Sequence, residues 1–267
     1  SDVYSRVLPP ERQGEATHRY MLGVYRLLET LTSTFPHVLF EGCAGGGGRF
    51  DAGMLAYFPQ IWCSDDSDAI ERLVIQHRTS FGYPVSTMGA HVSACPNHQT
   101  GRTTPLWTRA VVAMSGTFGY ELDLGKLTDE EKEQVRAQIQ VFKQHYDLIQ
   151  DGRYYRLTNP TTDHRFTAWQ FVSDTESLVN LVLTHPEANA RPLHIQLRGL
   201  EEDALYRVDS LCVYGSASTP EIAGVKGHTK GEGAVYSGST LLYAGLTLPH
   251  LVGDYPSVQL HLTRLEG

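Results

Sequence analysis

No apolar run in this 267-residue chain is long enough to span a bilayer, and its opening residues, SDVYSRVLPP, contain none of the parts of a secretory signal peptide. A membrane is therefore not an expected partner. Basic charge is also scarce. The 22 Lys and Arg against 30 Asp and Glu leave a formal charge of -8, which excludes nucleic acid, whose phosphates demand a basic face. A neutral ligand fits that balance. Cysteine is sparse: Cys43, Cys63, Cys95 and Cys212 are the only four, scattered without a disulfide framework spacing. Reduced thiols and a cytoplasmic location are the expectation. Internal repeats of fixed period are absent, and Gly45 to Gly48 is the only low-complexity stretch.

What is present is a core's worth of apolar residues, 41% of the chain, and one stretch that organises it, LFEGCAGGGGRFDAGMLAYFPQIWCSDDSDA from Leu39 to Ala69. The apolar run Val38-Leu39-Phe40 ends in Glu41-Gly42-Cys43 and four glycines, and Gln60-Ile61-Trp62-Cys63 ends in Ser64-Asp65-Asp66-Ser67-Asp68. Met54, Leu55 and Phe58 suit a short helix between them, over 50–58. Strand, polar tip, helix, strand, polar tip is the mark of successive βα units, whose C-terminal strand tips build the site of a (β/α) barrel.

The same alternation extends in both directions. The spacing predicts helices over 15–35, 69–81, 104–114 and 129–150, and strands over 85–93 and 117–122. Thr128 with Glu131 makes a capping box for the 129–150 helix, and Gly152 stands where a C-terminal cap is wanted. After Gly152 the apolar period changes to short alternating runs over 166–172, 178–183, 193–197, 205–208 and 258–262, separated by turn residues. The expected fold class is α/β plus all-β: residues 1–152 form half of an eight-stranded βα barrel, and residues 153–267 a separate antiparallel β-sandwich. Open barrel edges would leave unpaired strands.

Several motifs carry chemistry, each beside a plainer explanation. Asp65, Asp66 and Asp68 cluster at a strand tip, where carboxylates serve general acid–base catalysis. A turn plus a helix N-cap explains Asp68 equally well. Gly45 to Gly48 lacks the Lys-Ser/Thr of a P-loop; it is either a tight turn or a place where backbone N–H groups approach a ligand. Cys95 between His91 and His98 has no standard zinc spacing, so structural histidines are expected there. Cys43 lacks an adjacent base that would make it a nucleophile. Of Trp62, Trp107 and Trp169, two are expected in the core, and Trp62, just before the acidic cluster, is the candidate to touch a ligand.

EGCAGGGGRFD, IWCSDDSDAIER, MGAHVSACPNHQT, SGTFGYELDL and YSGSTLLYAGL, in this order over nearly the whole chain, resemble the α-galactosidases of glycoside hydrolase family 36, the melibiases. The resemblance implies retaining hydrolysis of terminal α-linked galactose from α-galactoside oligosaccharides such as melibiose and raffinose, without metal or cofactor. It matches Asp65 to the acid/base and places Cys43 and Gly45 at the sugar, with Trp62 the further candidate from its position; Gly42 and Ala44 depart from the usual ESCSG form. In the family the nucleophile lies in a KWDMNR motif just upstream of a segment like Val3 to Tyr25, and that motif does not occur here. The chain is thus expected to be the C-terminal part of such an enzyme, inactive alone, with the missing N-terminal half as partner and a homo-oligomer, a tetramer in the family, as assembly. A non-catalytic galactoside-binding fragment and a transglycosylase of the raffinose-synthase type are the alternatives.

Overall fold

Apolar residues three and four apart wind Gln13–Thr34 into helix α1 in the computed structural model, which describes residues 3–216, 227–228 and 232–266. The chain divides into two compact units, residues 1–62 and 63–267. In the first unit α1 ends where Phe35 N–H meets Leu31 O at 2.9 Å, one residue before Pro36. It is followed by strand β1 (Glu41–Gly42), helix α2 (Ala52–Leu55) and strand β2 (Gln60–Trp62), with β1 and β2 parallel. Leu28, Met54 and Ile61 form the buried centre of this unit, flanked by Val24, Phe50 and Phe58.

Two expectations shift here. The pairing strand is Glu41–Gly42 rather than Val38 to Phe40, and Val38 and Leu39 are exposed. The helix expected over 50–58 is a single turn, because Tyr57 and Phe58 both return their N–H groups to Met54 O and close it.

The second unit opens with α3 (Ala69–Thr79), β3 (Met88–Ser93), α4 (Leu106–Ala113), β4 (Thr117–Glu121), α5 (Asp129–Gln144) and α6 (Tyr146–Asp151). β3 and β4 are parallel, pairing Gly89 with Thr117 through Ser93 with Glu121. Residues 85–87 form a separate 3-10 turn, so the strand starts later than Pro84 suggested. The capping box at Thr128 and Glu131 is present in full. The single helix expected over 129–150 instead breaks at His145, whose backbone leaves helical values (φ -107°, ψ 15°) and whose N–H is shared between Val141 O and Phe142 O. Gly152 adopts φ -67° and not the left-handed cap.

From Arg153 onward the described strands are antiparallel: β5 (Arg153–Arg156), β6 (Phe166–Val172), β7 (Glu176–Leu183), β8 (His194–Ile195), β9 (Leu205–Tyr214), β10 (Gly227–His228), β11 (Val235–Ser237), β12 (Leu246–Thr247) and β13 (Ser257–Arg264). Seven of them make one sheet in the order β10-β9-β13-β7-β6-β5, with β11 also on β9; β12 pairs with β8 as a second small sheet. Helical geometry recurs after Gly152 only as a π-type turn at Thr240–Ala244 among the described residues, so the expected change from βα repeats to antiparallel sheets is the observed fold class.

Alternation decides which side chains go where in the large sheet. Val258, Leu260 and Leu262 point into an apolar core shared with Val179, Leu181, Leu211, Ile195 and Leu248. Ser257, Gln259 and His261 point the other way and are buried too. Their face also carries the buried Phe171, Leu178 and Val182, and its polar groups are paired: Gln259 donates to Asn180 Oδ1 at 3.0 Å, and Thr108 of α4 reaches Ser257 Oγ at 3.1 Å. Burial on both faces explains why residues 63–267 group together.

Truncating Leu260, 1% exposed, should cost about 2–5 kcal/mol in urea unfolding with an unchanged m-value, whereas Val252→Ala at an exposed position should stay within about 0.5 kcal/mol. Equal effects would show that the apolar face of β13 is not the core of this unit.

Candidate active site

Strand β1 ends at Gly42, where an added Cβ would sit 2.9 Å from Phe58 Cδ2 and 3.1 Å from Ile61 Cγ1. The departure from serine at this position is therefore tied to the close packing of Phe58. Cys43 follows and is exposed; then Gly45, Gly46 and Gly47 all take left-handed backbone (φ +59°, +64° and +92°), a run that side chains would resist. The turn closes through Gly48 N–H to Ala44 O at 3.1 Å and Phe50 N–H to Gly47 O at 3.0 Å. Asp51 then caps α2 by accepting the Met54 N–H at 2.9 Å. A cavity of about 310 Å³ adjoins this turn, lined by Tyr20, Val24, Gly42, Cys43, Arg49 and Met54 among others. Trp62 closes β2 with its ring buried, 8% exposed.

In the second unit the acidic cluster follows directly on β2 in sequence, and its three carboxylates have different duties. Asp68 is 1% exposed. Its Oδ1 caps α3, accepting the N–H groups of Ile70 at 2.8 Å and Glu71 at 3.3 Å, and also takes Arg102 Nη1 at 2.5 Å. Thr100 Oγ1 donates to its other oxygen, and Arg102 continues to Glu71 at 3.2 Å. Burial alone would raise the Asp68 pKa, but Thr100, the Ile70 N–H and Arg102 together hold it below the ordinary 3.8. Asp66 Oδ1 accepts the Asp68 N–H at 3.0 Å. Asp65 is exposed, and its side chain makes no hydrogen bond or ion pair among the described residues.

The loop 97–102 holds this tip from the side. Gln99 Oε1 accepts the Ser67 N–H at 3.0 Å while Gln99 Nε2 donates to the Asp65 carbonyl at 3.1 Å. Asn97 is buried, donates to Ser67 Oγ at 3.2 Å, and accepts the N–H groups of Gln99 and Thr100. From below, Arg72 Nη1 donates to Ser64 O at 3.2 Å and Nη2 to Gly89 O; burial lowers its pKa, and Cys63 and Asp66 act against that loss. Burial likewise pushes the Cys63 thiol up, so it is not a reactive thiolate. His91 faces Glu121 at 3.7 Å, and His91, Cys95 and His98 do not gather as metal ligands. Trp107 stacks flat on Tyr214 at 4.3 Å between centroids, and Trp169 is buried, as core positions.

Residues 1–152 match the profile of the family described as Melibiase, and residues 166–262 match that of the glycosyl hydrolase family 36 C-terminal domain. The chain belongs to the melibiase family. It is 46% identical to alpha-galactosidase AgaA of Geobacillus stearothermophilus, over 100% of this chain and 34% of the relative. It is 48% identical to the bifunctional alpha-galactosidase/sucrose kinase AgaSK of Mediterraneibacter gnavus, over 100% of this chain and 26% of the relative. A crystal structure of a Geobacillus stearothermophilus AgaA variant in complex with raffinose superposes with a TM-score of 0.86 at 45% identity, covering 99% of this chain and 34% of that one. The galactosidase domain of AgaSK gives a TM-score of 0.84 at 48% identity, covering 94% and 32%. The chain thus spans about a third or less of the length of these relatives.

In this melibiase chain, then, Cys43, Gly45 and Trp62 lie in the first unit at or just beyond the C-terminal ends of two parallel strands, and Asp65 lies in the second, three residues past Trp62. The supporting residues Asn97, Gln99, Thr100 and Arg102 were not anticipated. Their signal was the buried cap itself: the nearest cation in sequence, Arg72, is turned to Ser64 O and Gly89 O, so an ionised Asp68 needs one brought from elsewhere.

Because the folded-state pKa of Asp68 is depressed, its stabilisation is complete above 3.8 and is lost as pH falls through the lower folded value. Asp68→Asn should therefore be less stable by about 1–3 kcal/mol at neutral pH and show a flatter acid limb in denaturation midpoints followed below about pH 5. An unchanged acid limb would remove Asp68 from the charge network.

Proposed function

We propose that this chain supplies the acid/base and part of the sugar-binding surface of a retaining α-galactosidase whose nucleophile lies on a preceding segment. The observation that carries this is the division of labour in the acidic cluster: Asp66 and Asp68 are engaged in turn and cap, while Asp65 is exposed at the tip and unpaired. A leaving oxygen needs a carboxylic acid that is reachable and not committed to structure.

In the proposed reaction an upstream aspartate attacks the anomeric carbon of a terminal α-linked galactose, and the glycosidic oxygen departs with the proton of Asp65. The resulting galactosyl-enzyme is opened by water, whose proton Asp65 takes back as the new C–O bond forms and the aspartate is released. Cys43 and Gly45 contact the sugar ring, and Trp62 bears on it from the end of β2. The exposed Cys43 and the left-handed glycines favour close backbone approach. Substrates are α-galactosides of the raffinose and melibiose kind, in keeping with raffinose and stachyose in the AgaA crystal structures. Within this proposal residues 1–152 form half of the catalytic (β/α)8 barrel and residues 153–267 a β-sandwich, in a cytoplasmic homo-oligomer.

Two measurements check it. In a protein joining this chain to the upstream segment, Asp65→Ala should reduce raffinose turnover by ~10²–10⁴-fold, spare activated aryl galactosides more, and regain turnover of the latter with azide, which attacks the galactosyl-enzyme without base help. Residues 1–267 alone should not hydrolyse aryl galactosides. Raffinose cleavage at the parental rate by Asp65→Ala would place the acid elsewhere, and hydrolysis by the isolated chain would remove the need for an upstream nucleophile.

A further inference from the structure

The break in the 129–150 helix points His145 toward the face of the large sheet that carries Gln259 and His261, where its ring lies 4.6 Å from that of His261 on β13. Glu176, the first residue of β7, meets the same place: its Oε2 is 2.7 Å from His261 Nε2. One ligand atom from each of His145, Glu176 and His261 lies within 4.8 Å of the other two. Three elements far apart in sequence thus converge two imidazoles and one carboxylate on a single point. His145 and His261 are buried, at 6% and 9% exposed.

The ring of His261 is also held from behind. The pairing of β13 with β9 slips between His261, opposite Ser210, and Leu262, opposite Val208, which leaves Asp209 as an extra residue. Such a bulge re-aims a side chain, and here it brings Asp209 Oδ2 to 3.6 Å from His261 Nδ1. Asp209 is itself fixed by Arg207 Nε at 2.6 Å and by the Thr263 hydroxyl. Asp209 beside Nδ1 resembles the outer-shell carboxylate found behind metal-bound histidines, while the Nε2 proton now shared with Glu176 would be released as a metal ion takes its place. Access comes from the Glu176 side, where a cavity of about 340 Å³ is lined by Asp147, Asp151, Asp174 and Glu176 with Arg153. Its carboxylates would concentrate cations at the entrance.

We propose that His145, Glu176 and His261 form a divalent transition-metal site of the zinc class, with Asp209 as the positioning residue, tying the α5–α6 break to the sheet. Two nitrogens and one oxygen are a donor set zinc accepts, with a water in the fourth position. The site is independent of Asp65 and of the hydrolytic reaction; its effect is to link β7, β13 and the helix break.

The test uses the full-length protein carrying this chain, stripped with chelator and titrated with zinc chloride, with bound metal counted after dialysis. One equivalent should bind and raise the thermal midpoint. Cobalt(II) in its place should show ligand-field bands without a thiolate charge-transfer band, which separates this site from the four cysteines. Glu176→Gln, a half-exposed position that leaves the core intact, and His261→Gln should each lose the equivalent and the thermal shift. Asp209→Asn should weaken zinc about 10–100-fold. Zinc stoichiometry or stabilisation unchanged in Glu176→Gln, a thiolate band with cobalt, or no retained metal in the parent protein would each overturn the proposal.

Discussion

A buried carboxylate with both oxygens hydrogen-bonded is the constraint on which the acidic tip depends. Asp68 cannot stay ionised at 1% exposure without partners, since an unpaired charge in that position costs far more than a domain can spare. Its partners come from two directions: the first turn of α3, through the Ile70 and Glu71 N–H groups, and the 97–102 loop, through Thr100 and Arg102. Satisfying Asp68 therefore docks the loop, and the docked loop in turn brings Gln99 onto the Asp65 carbonyl and the Ser67 N–H. The backbone on either side of Asp66 is fixed while the Asp65 side chain is left exposed. Of the three neighbouring aspartates, two are committed to structure by what they can reach and one is left exposed.

The large sheet obeys a second constraint. One face builds an apolar core with the small sheet, and the other is buried too and mixes apolar with polar side chains, so each polar group on either face must find a partner. Gln170 with Ser177, Gln259 with Asn180, and His261 with Glu176 answer that requirement. A sheet of this kind is attached to its covering helices by specific pairs and not by area alone, which restricts the ways it can be repacked.

Much of this was legible in the amino-acid order. Asp68 before Ala69, and Thr128 with Glu131, announce helix starts because capping is a local event that needs only neighbours. The change from helical to alternating apolar period after Gly152 marks the change of architecture. Arg102 and Gln99 were not legible as partners of the acidic tip, because a loop that returns from beyond β3 leaves no periodic trace. The break at His145 was hidden for a related reason: the apolar spacing runs through it, and Ile149 is still buried beyond it, so only the tertiary position of the imidazole reveals that the helix stops. Strand β1 was expected at Val38 to Phe40 and not at Glu41–Gly42 because its burial rests on Gly42, which has no side chain to enter an apolar count.

On the proposed assignment of Asp65 as the proton donor, the Asp68-anchored loop is what positions it. Arg102→Ala in the assembled enzyme tests it through the leaving-group dependence of kcat/KM. A misplaced acid should depress cleavage of raffinose, whose leaving group needs protonation, far more than cleavage of an activated aryl galactoside. Equal losses on both substrates, or no loss on raffinose, would contradict the account and leave the loop a purely structural clasp.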